Sequence, residues 1–346
     1  MKIKIFTTIL ISVFFNLILF AGEVSVDKAR QVAKNLYFQK SDINYNEIIF
    51  DKDFTIYEGN TLVYYVFNIS NENGFVIVSA EDHVLPILGY SFEGNYYENN
   101  QPPQFISWMQ NYKEQILFVK ENNLPASEEI IFLWEKYETR TEKDNGFYEN
   151  RTIVGPLLGD IKWDQGCLYN DSCPADASGP CGHAYAGCVA TATGMIMKYH
   201  HHPHQGVGSN SYFNATYGTL SADFGSTTYD WANMPVSGSN EDVALILYHV
   251  GVSVNMNYGP TGSSANTSAA VTALKTYFEY KTSAFYDQKV YHTPQVWNNM
   301  LITELDNDRP LLYRGYGTGG HAFVCDGYDD DYQSTGTLYF HFNWGW

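Results

Sequence analysis

The sequence predicts an α+β protein, with helices and antiparallel strands in separate stretches of chain. Three observations carry that reading. The first half sets a segment of helical period ahead of short strand runs, and the second half ends in strands that follow several helices. Neither half alternates strand, helix and strand in the manner of a parallel sheet. The chain has 346 residues, 45% of them apolar and 16% aromatic, which suits one or two cores and excludes disorder.

The first residues, MKIKIFTTILISVFFNLILFAGEVSV, read as an export signal over 1–21. Lys2 and Lys4 lead an apolar stretch from Ile5 to Phe20, and Ala21-Gly22 offers a small-residue cleavage point. Thr7, Thr8, Ser12 and Asn16 interrupt that stretch, so it falls short of the ~20 clean apolar residues of a membrane anchor. A secreted protein, in the extracellular space or the periplasm, with no membrane attachment after signal removal, is expected.

VSVDKARQVAKNLYFQK then spaces apolar residues as a helix does, with Asp27 near its start. LVYYVFNI and GFVIVSA are β-branched and aromatic runs divided by an Asn-Glu-Asn-Gly turn. FISWMQNYKEQILFVKENN is an amphipathic helix whose stripe includes Trp108, Tyr112, Ile116 and Val119, expected to pack the core of the N-terminal part. A second helical piece, EEIIFLWEKYET, dissolves into a polar stretch from Thr139 to Asn150, the expected linker. Beyond it come a helix at Cys188, a loop-rich region to about Asn240, and helices at EDVALILYHVG, SAAVTALKTYF and PQVWNNMLITELDND. The strands RPLLYRGYG, HAFVCDGYD and TLYFHFNWGW close the chain. The domains expected are therefore 22–150 and 151–346.

A net charge of −18 argues against nucleic acid or an anionic membrane as partner, since both would be repelled. The five cysteines are an odd number for an exported chain, so one thiol must stay free or pair outside the molecule.

Cys188 is the candidate for that thiol. Gly187 permits a tight turn in front of it, and VATATGMIMKYH can follow as a helix with Val189, Ala192, Ile196 and Tyr199 facing inward. A cysteine in the first turn of a helix meets unpaired N–H groups and a dipole that favour a thiolate. His321 follows two glycines at the head of a strand, 133 residues downstream, inside the about 130–150 residue gap of the papain-type order. Asn343 and Trp344 supply the residue types that orient and shield such a histidine, and Gln165 offers an amide that, with the Cys188 N–H, could hold an oxyanion. A thiolate–imidazolium pair would need no metal and no cofactor.

WDQGCLYN, GCVATATGMIMKYH, GGHAFVCDGYD and NWGW together resemble the signature blocks of the streptopain family of secreted bacterial cysteine peptidases. VSVNMNYGPTGSSA and PLLYRGYG fit between those blocks, and NGFVIVSAEDHVLPILGYSFEGNY resembles the family's inhibitory propeptide. The resemblance implies a zymogen: a small α+β propeptide domain that inhibits its own papain-like catalytic domain, whose substrates are proteins or peptides. Cys188 would be the nucleophile, His321 its base and Gln165 the oxyanion donor, with Asn343 and Trp344 in the block that orients and shields the histidine. Met256, Tyr258 and Ser264 would shape the pocket for an apolar residue two before the scissile bond. The chain ends at Trp346 inside the last block, where the family pattern continues, so a shortened catalytic domain is implied.

Other residues take plainer readings. Cys325 alternates with apolar neighbours and reads as core. His200, His201, His202 and His204 lie at a helix exit and point in different directions, a poor metal cage. The spacing of Cys167, Cys173 and Cys181 is not that of a zinc site, and a Cys173–Cys181 or Cys167–Cys173 disulfide is expected. His183 is the reserve base. A catalytically inactive binding module, an inhibitor built on the N-terminal half, or an acyltransferase using the same cysteine–histidine pair are the competing functions.

Overall fold

The computed structural model describes residues 22–99, 101–139, 152–315, 320–331 and 337–345. The expected signal segment and nearly all of the expected linker lie outside the described residues, as does Trp346. The chain divides into two compact units. One comprises the chain to Tyr96 together with Tyr112–Lys143; the other comprises Tyr97–Asn111 and everything from Asp144 onward.

In the first unit, α1 (Val26–Lys40) starts at Ser25, whose hydroxyl accepts the Lys28 N–H at 3.3 Å. Ala29, Val32, Ala33 and Leu36 bury its apolar stripe. Four strands follow as an antiparallel meander: β1 (Phe50–Glu58), β2 (Thr61–Ile69), β3 (Phe75–Ser79) and β4 (Ile87–Ser91). The turn between β2 and β3 requires its glycine: Gly74 has φ +101°, and a Cβ there would lie 2.0 Å from the Ser91 carbonyl oxygen. α2 (Pro103–Asn122) passes from the second unit into the first, and α3 (Glu128–Thr139) packs on α1. Asn35, fully buried on α1, donates to the Tyr137 carbonyl at 2.6 Å and so ties α1 to α3.

The second unit is built on an antiparallel sheet around one long strand, β9 (His321–Asp331). β10 (Thr337–Asn343) pairs along one edge. The other edge is shared by β8 (Leu311–Gly315), which pairs with the first half of β9, and the three-residue β5 (Thr152–Val154), which pairs with the second half. Against this sheet packs α4 (Cys188–His200), whose residues Val189 through Lys198 are all buried. α5 (Glu241–Ser253) and α6 (Thr267–Tyr277) cover α4, while α7 (Pro294–Leu305) packs on β8 and β9. Gly194 sets the closeness of α4 and α5, since a Cβ there would stand 2.6 Å from Leu247 Cδ2. Inside the region expected to be loop lies a hairpin, β6 (Ser209–Asn214) with β7 (Gly218–Asp223). Both units are thus antiparallel α+β, as expected.

The aromatic stripe of α2 is divided between the units, and this corrects the expectation that it packs the N-terminal core. Phe105 and Trp108 belong to the second unit. Trp108 packs against Phe342, Trp344 and Phe323 with ring centroids 5.3, 6.2 and 6.4 Å away.

Candidate active site

α4 begins abruptly because of Gly187. Its φ of +93° is a conformation that side chains rarely adopt, and a Cβ would meet Met256 Cε at 2.9 Å and Ser263 Cβ at 3.1 Å. Cys188 is therefore the first helical residue, half-buried, and its Sγ accepts the Ala322 N–H at 3.4 Å. That contact brings the start of α4 against the start of β9, where His321 is the first residue.

Both groups line one cleft of about 270 Å³, together with Gln165, Ser264, Arg314 and Ala322. Gln165 is only 6% exposed. Its carbonyl accepts the Ala186 N–H at 2.9 Å, and its Nε2 donates to the Gly345 carbonyl at 3.3 Å. The side-chain amide expected to receive an oxyanion is thus held by the chain's own backbone in this state.

Burial works against the expected ion pair. Burial pushes the Cys188 thiol up, against the pull of the Ala322, Val189 and Cys188 N–H groups and the Arg314 charge. Burial also pushes the His321 imidazole down. Both directions favour the neutral forms, and among the described residues His321 makes no hydrogen bond to Cys188. Alkylation of Cys188 in the intact chain is accordingly expected to keep accelerating as pH rises past the ordinary thiol range, since the reactive thiolate appears only there. Its rate should show no plateau near neutrality when followed with iodoacetamide and peptide mapping.

Asn343 and Trp344 are not placed as expected. Asn343 Nδ2 donates to the Ile161 carbonyl at 2.8 Å, and its Oδ1 accepts the Gly345 N–H at 3.1 Å, so its side chain closes the turn after β10 instead of orienting His321. Trp344 stacks on Phe323 at 4.7 Å and its carbonyl accepts from the Gln104 side chain. Of the three expected pocket residues, only Ser264 lines the cleft; it is bridged to Asn257 by two backbone bonds of 2.8 and 3.0 Å. Met256 is wholly buried behind Gly187, and Tyr258 lies in the core with its hydroxyl directed at the Tyr248 carbonyl, 3.4 Å away. Met256 and Tyr258 are drawn into the core beneath the cleft, and its wall is made instead by Thr261, Ser263, Ala265 and Thr267 together with Tyr185 and Val189. Arg314, missed from the sequence, carried a signal: it is a charge inside the otherwise uncharged strand LLYRG.

The cysteines sort themselves by burial. Cys167 pairs with Cys181, Cα atoms 5.2 Å apart, which corrects both expected pairings. Cys173 cannot take part because it is buried in the core around α4, where its thiol is pushed up to about 12 by burial. Cys325 is likewise buried. Cys188 is the one free thiol at a cleft among the described residues. His183 is tied into a bridge with Ala175 and is absent from the cleft. His200 and His202 both pack against Tyr280.

A cysteine at a helix start and a histidine at a strand start, lining one cleft of an antiparallel α+β unit, is the architecture of the cysteine peptidases. Residues 163–346 match the Peptidase C10 family, and residues 21–116 match the Spi protease inhibitor. The chain belongs to the Peptidase C10 family, whose members among its relatives are thiol proteases. It is 33% identical over 347 residues to the thiol protease/hemagglutinin PrtT of Porphyromonas gingivalis, covering 94% of this chain and 38% of that protein. With streptopain of Streptococcus pyogenes it shares 33% identity over 311 residues, 82% of this chain and 71% of the relative. Its fold is similar to that of a prointerpain A fragment from Prevotella intermedia, at 32% identity and a TM-score of 0.66, over 85% of this chain and 89% of that one. The chain therefore spans well under half the length of PrtT. Among the described residues, no helix is long and apolar enough to cross a membrane.

Proposed function

We propose that the chain is the precursor of a secreted cysteine endopeptidase, with a signal at 1–21, an inhibitory propeptide at 22–150 and a catalytic domain from 151. The observation that carries this reading is the placement of Cys188 at the first turn of α4, its thiol against the Ala322 N–H in a cleft that His321 and Gln165 also line. In the proposed reaction Cys188 Sγ attacks a peptide carbonyl, and the oxyanion accepts from the Cys188 N–H and from Gln165 Nε2 once the amide leaves Gly345. His321 takes the thiol proton and passes it to the leaving amine. It then deprotonates the water that hydrolyses the thioester, and that proton returns to Cys188. Substrates are proteins or peptides, the first of them the chain's own linker. Burial that favours the neutral thiol and imidazole suits a latent enzyme, and activation would relieve it so that the proton can move.

The test is the intact mass of the chain from Gly22 onward, beside a Cys188→Ala version, under reducing conditions. Loss of about 130 residues from the wild type alone is expected, the length of a propeptide domain. Two whole proteins after prolonged incubation would sink the reading.

A further inference from the structure

Ahead of α1, residues 22–24 run antiparallel to residues 80–82, bridged at Glu23 and Glu81. Val24 N–H donates to the Ala80 carbonyl at 3.0 Å, and Asp82 N–H to the Gly22 carbonyl at 3.2 Å. The Gly22 N–H in turn donates to Asp82 Oδ1 at 3.1 Å. The second carboxylate oxygen faces the same residue, since a Cβ on Gly22 would be 2.9 Å from Oδ2. His83 Nε2 stands 3.7 Å from Oδ1, too far for a hydrogen bond. The two paired segments carry three carboxyl groups, those of Glu23, Glu81 and Asp82, with Lys120 3.7 Å from Glu81. The backbone nitrogen of Gly22 is thus seated on a carboxylate in an acidic setting.

That nitrogen is the atom that signal removal changes. Hydrolysis of the Ala21–Gly22 bond by a signal-cleaving peptidase consumes one water and leaves a carboxylate on Ala21. The freed Gly22 amine takes a proton from solvent, so a neutral amide N–H becomes an α-ammonium at neutral pH. We propose that Asp82 is the receiving site for this new amino terminus, so that export processing fastens the head of the inhibitory unit with an ion pair. The inference rests on the reading of 1–21 as a signal and goes beyond it. An ammonium on a carboxylate makes a stronger hydrogen bond than the amide it replaces. Asp82 keeps 37% of its side chain exposed, which holds the gain to the scale of a surface pair.

The test uses the chain from Gly22 onward, with Cys188→Ala to keep it in one piece, carrying either a free or an acetylated Gly22 amine. Acetylation restores the amide N–H of the precursor and removes the charge. It is expected to lower the melting midpoint of the N-terminal unit, followed by calorimetry, by about 2–4 °C. In an Asp82→Asn chain, which keeps an acceptor oxygen without its charge, acetylation should leave the midpoint where it is. An equal drop in both chains, or none in the parent, overturns the proposal. A second readout needs no variant: the rate at which acetic anhydride labels the Gly22 amine at neutral pH, beside a free GEVSV peptide. The folded chain should react roughly fivefold more slowly, and equal rates overturn the proposal too. N-terminal sequencing of the exported protein checks the signal reading separately. A start other than Gly22 sinks that reading and the link to export, even where the acetylation result shows an amine held by Asp82.

Discussion

A Gly187→Val chain is expected to lose all measurable peptidase activity and to unfold about 3 kcal/mol sooner than the parent in denaturant. Two costs combine at this position. The backbone, at φ +93°, is strained for any residue with a Cβ, and the added atoms press on Met256 Sδ at 3.0 Å and Ser263 Cβ at 3.1 Å. The Met256 contacts end a flexible side chain, but Ser263 Cβ sits beside its own backbone, so the start of α4 is expected to move, and the Cys188 sulfur with it. Gly238 separates the two costs. It also has a positive φ, +78°, yet nothing lies within 4 Å of its missing Cβ. Gly238→Val should show the backbone strain alone, about 1–2 kcal/mol, with activity retained. Equal midpoints for the two variants would mean that the packing against Met256 is soft.

Removing the disulfide should produce the next largest change. Cys167 and Cys181 close a loop with a sequence separation of 14, for which chain entropy predicts about 3 kcal/mol of stabilisation. Both cysteines are exposed, so replacement by serine adds no buried polar group. The loop is also held from within by Asn170, whose side-chain amide donates to the carbonyls of Pro180, His183 and Ala184 at 2.9 to 3.2 Å. That second anchor should let the Cys167→Ser/Cys181→Ser chain keep its fold while its denaturation midpoint falls. Cys173→Ser is the control that identifies the pairing. It should leave the Cys167–Cys181 peptide intact in a non-reducing digest, whereas either alternative pairing would lose its cross-link with that substitution.

The parts of this site that were legible in the sequence are those where one residue type has one physical use. A glycine ahead of a cysteine and a long apolar-periodic run specified α4, and glycines before His321 marked the head of β9. Asn343 and Trp344 were recognisable as a block, but their roles depend on a turn at Gly345 and on an aromatic cluster that includes Trp108, more than 200 residues away in sequence. The disulfide was open to misreading because three nearby cysteines allow several pairings and only the burial of Cys173 decides among them. Met256 and Tyr258 share a motif with Ser264, and apolar character alone cannot separate a cleft wall from the core behind it. The β6–β7 hairpin hid for a different reason. Its strands, SNSYFN and GTLSAD, are rich in serine, asparagine and glycine and depleted in the β-branched residues that announce a strand.

β5 has a bearing on how far trimming can go. Thr152, Ile153 and Val154 are hemmed to Asp330, Asp329 and Tyr328, and the seam continues where Leu157 N–H reaches the Asp326 carbonyl at 2.7 Å and Leu158 N–H its carboxylate at 3.2 Å. His341 fastens the same carboxylate from β10, its Nδ1 2.6 Å away. Whichever bond upstream is cut first, later nibbling by the enzyme or by exopeptidases should shorten the new end only as far as this seam. Terminal sequencing of aged mature protein should then read a ragged ladder of starting residues that stops no later than Thr152. Starts beyond Val154 in protein that still folds would show that the hem can be unpicked without loss.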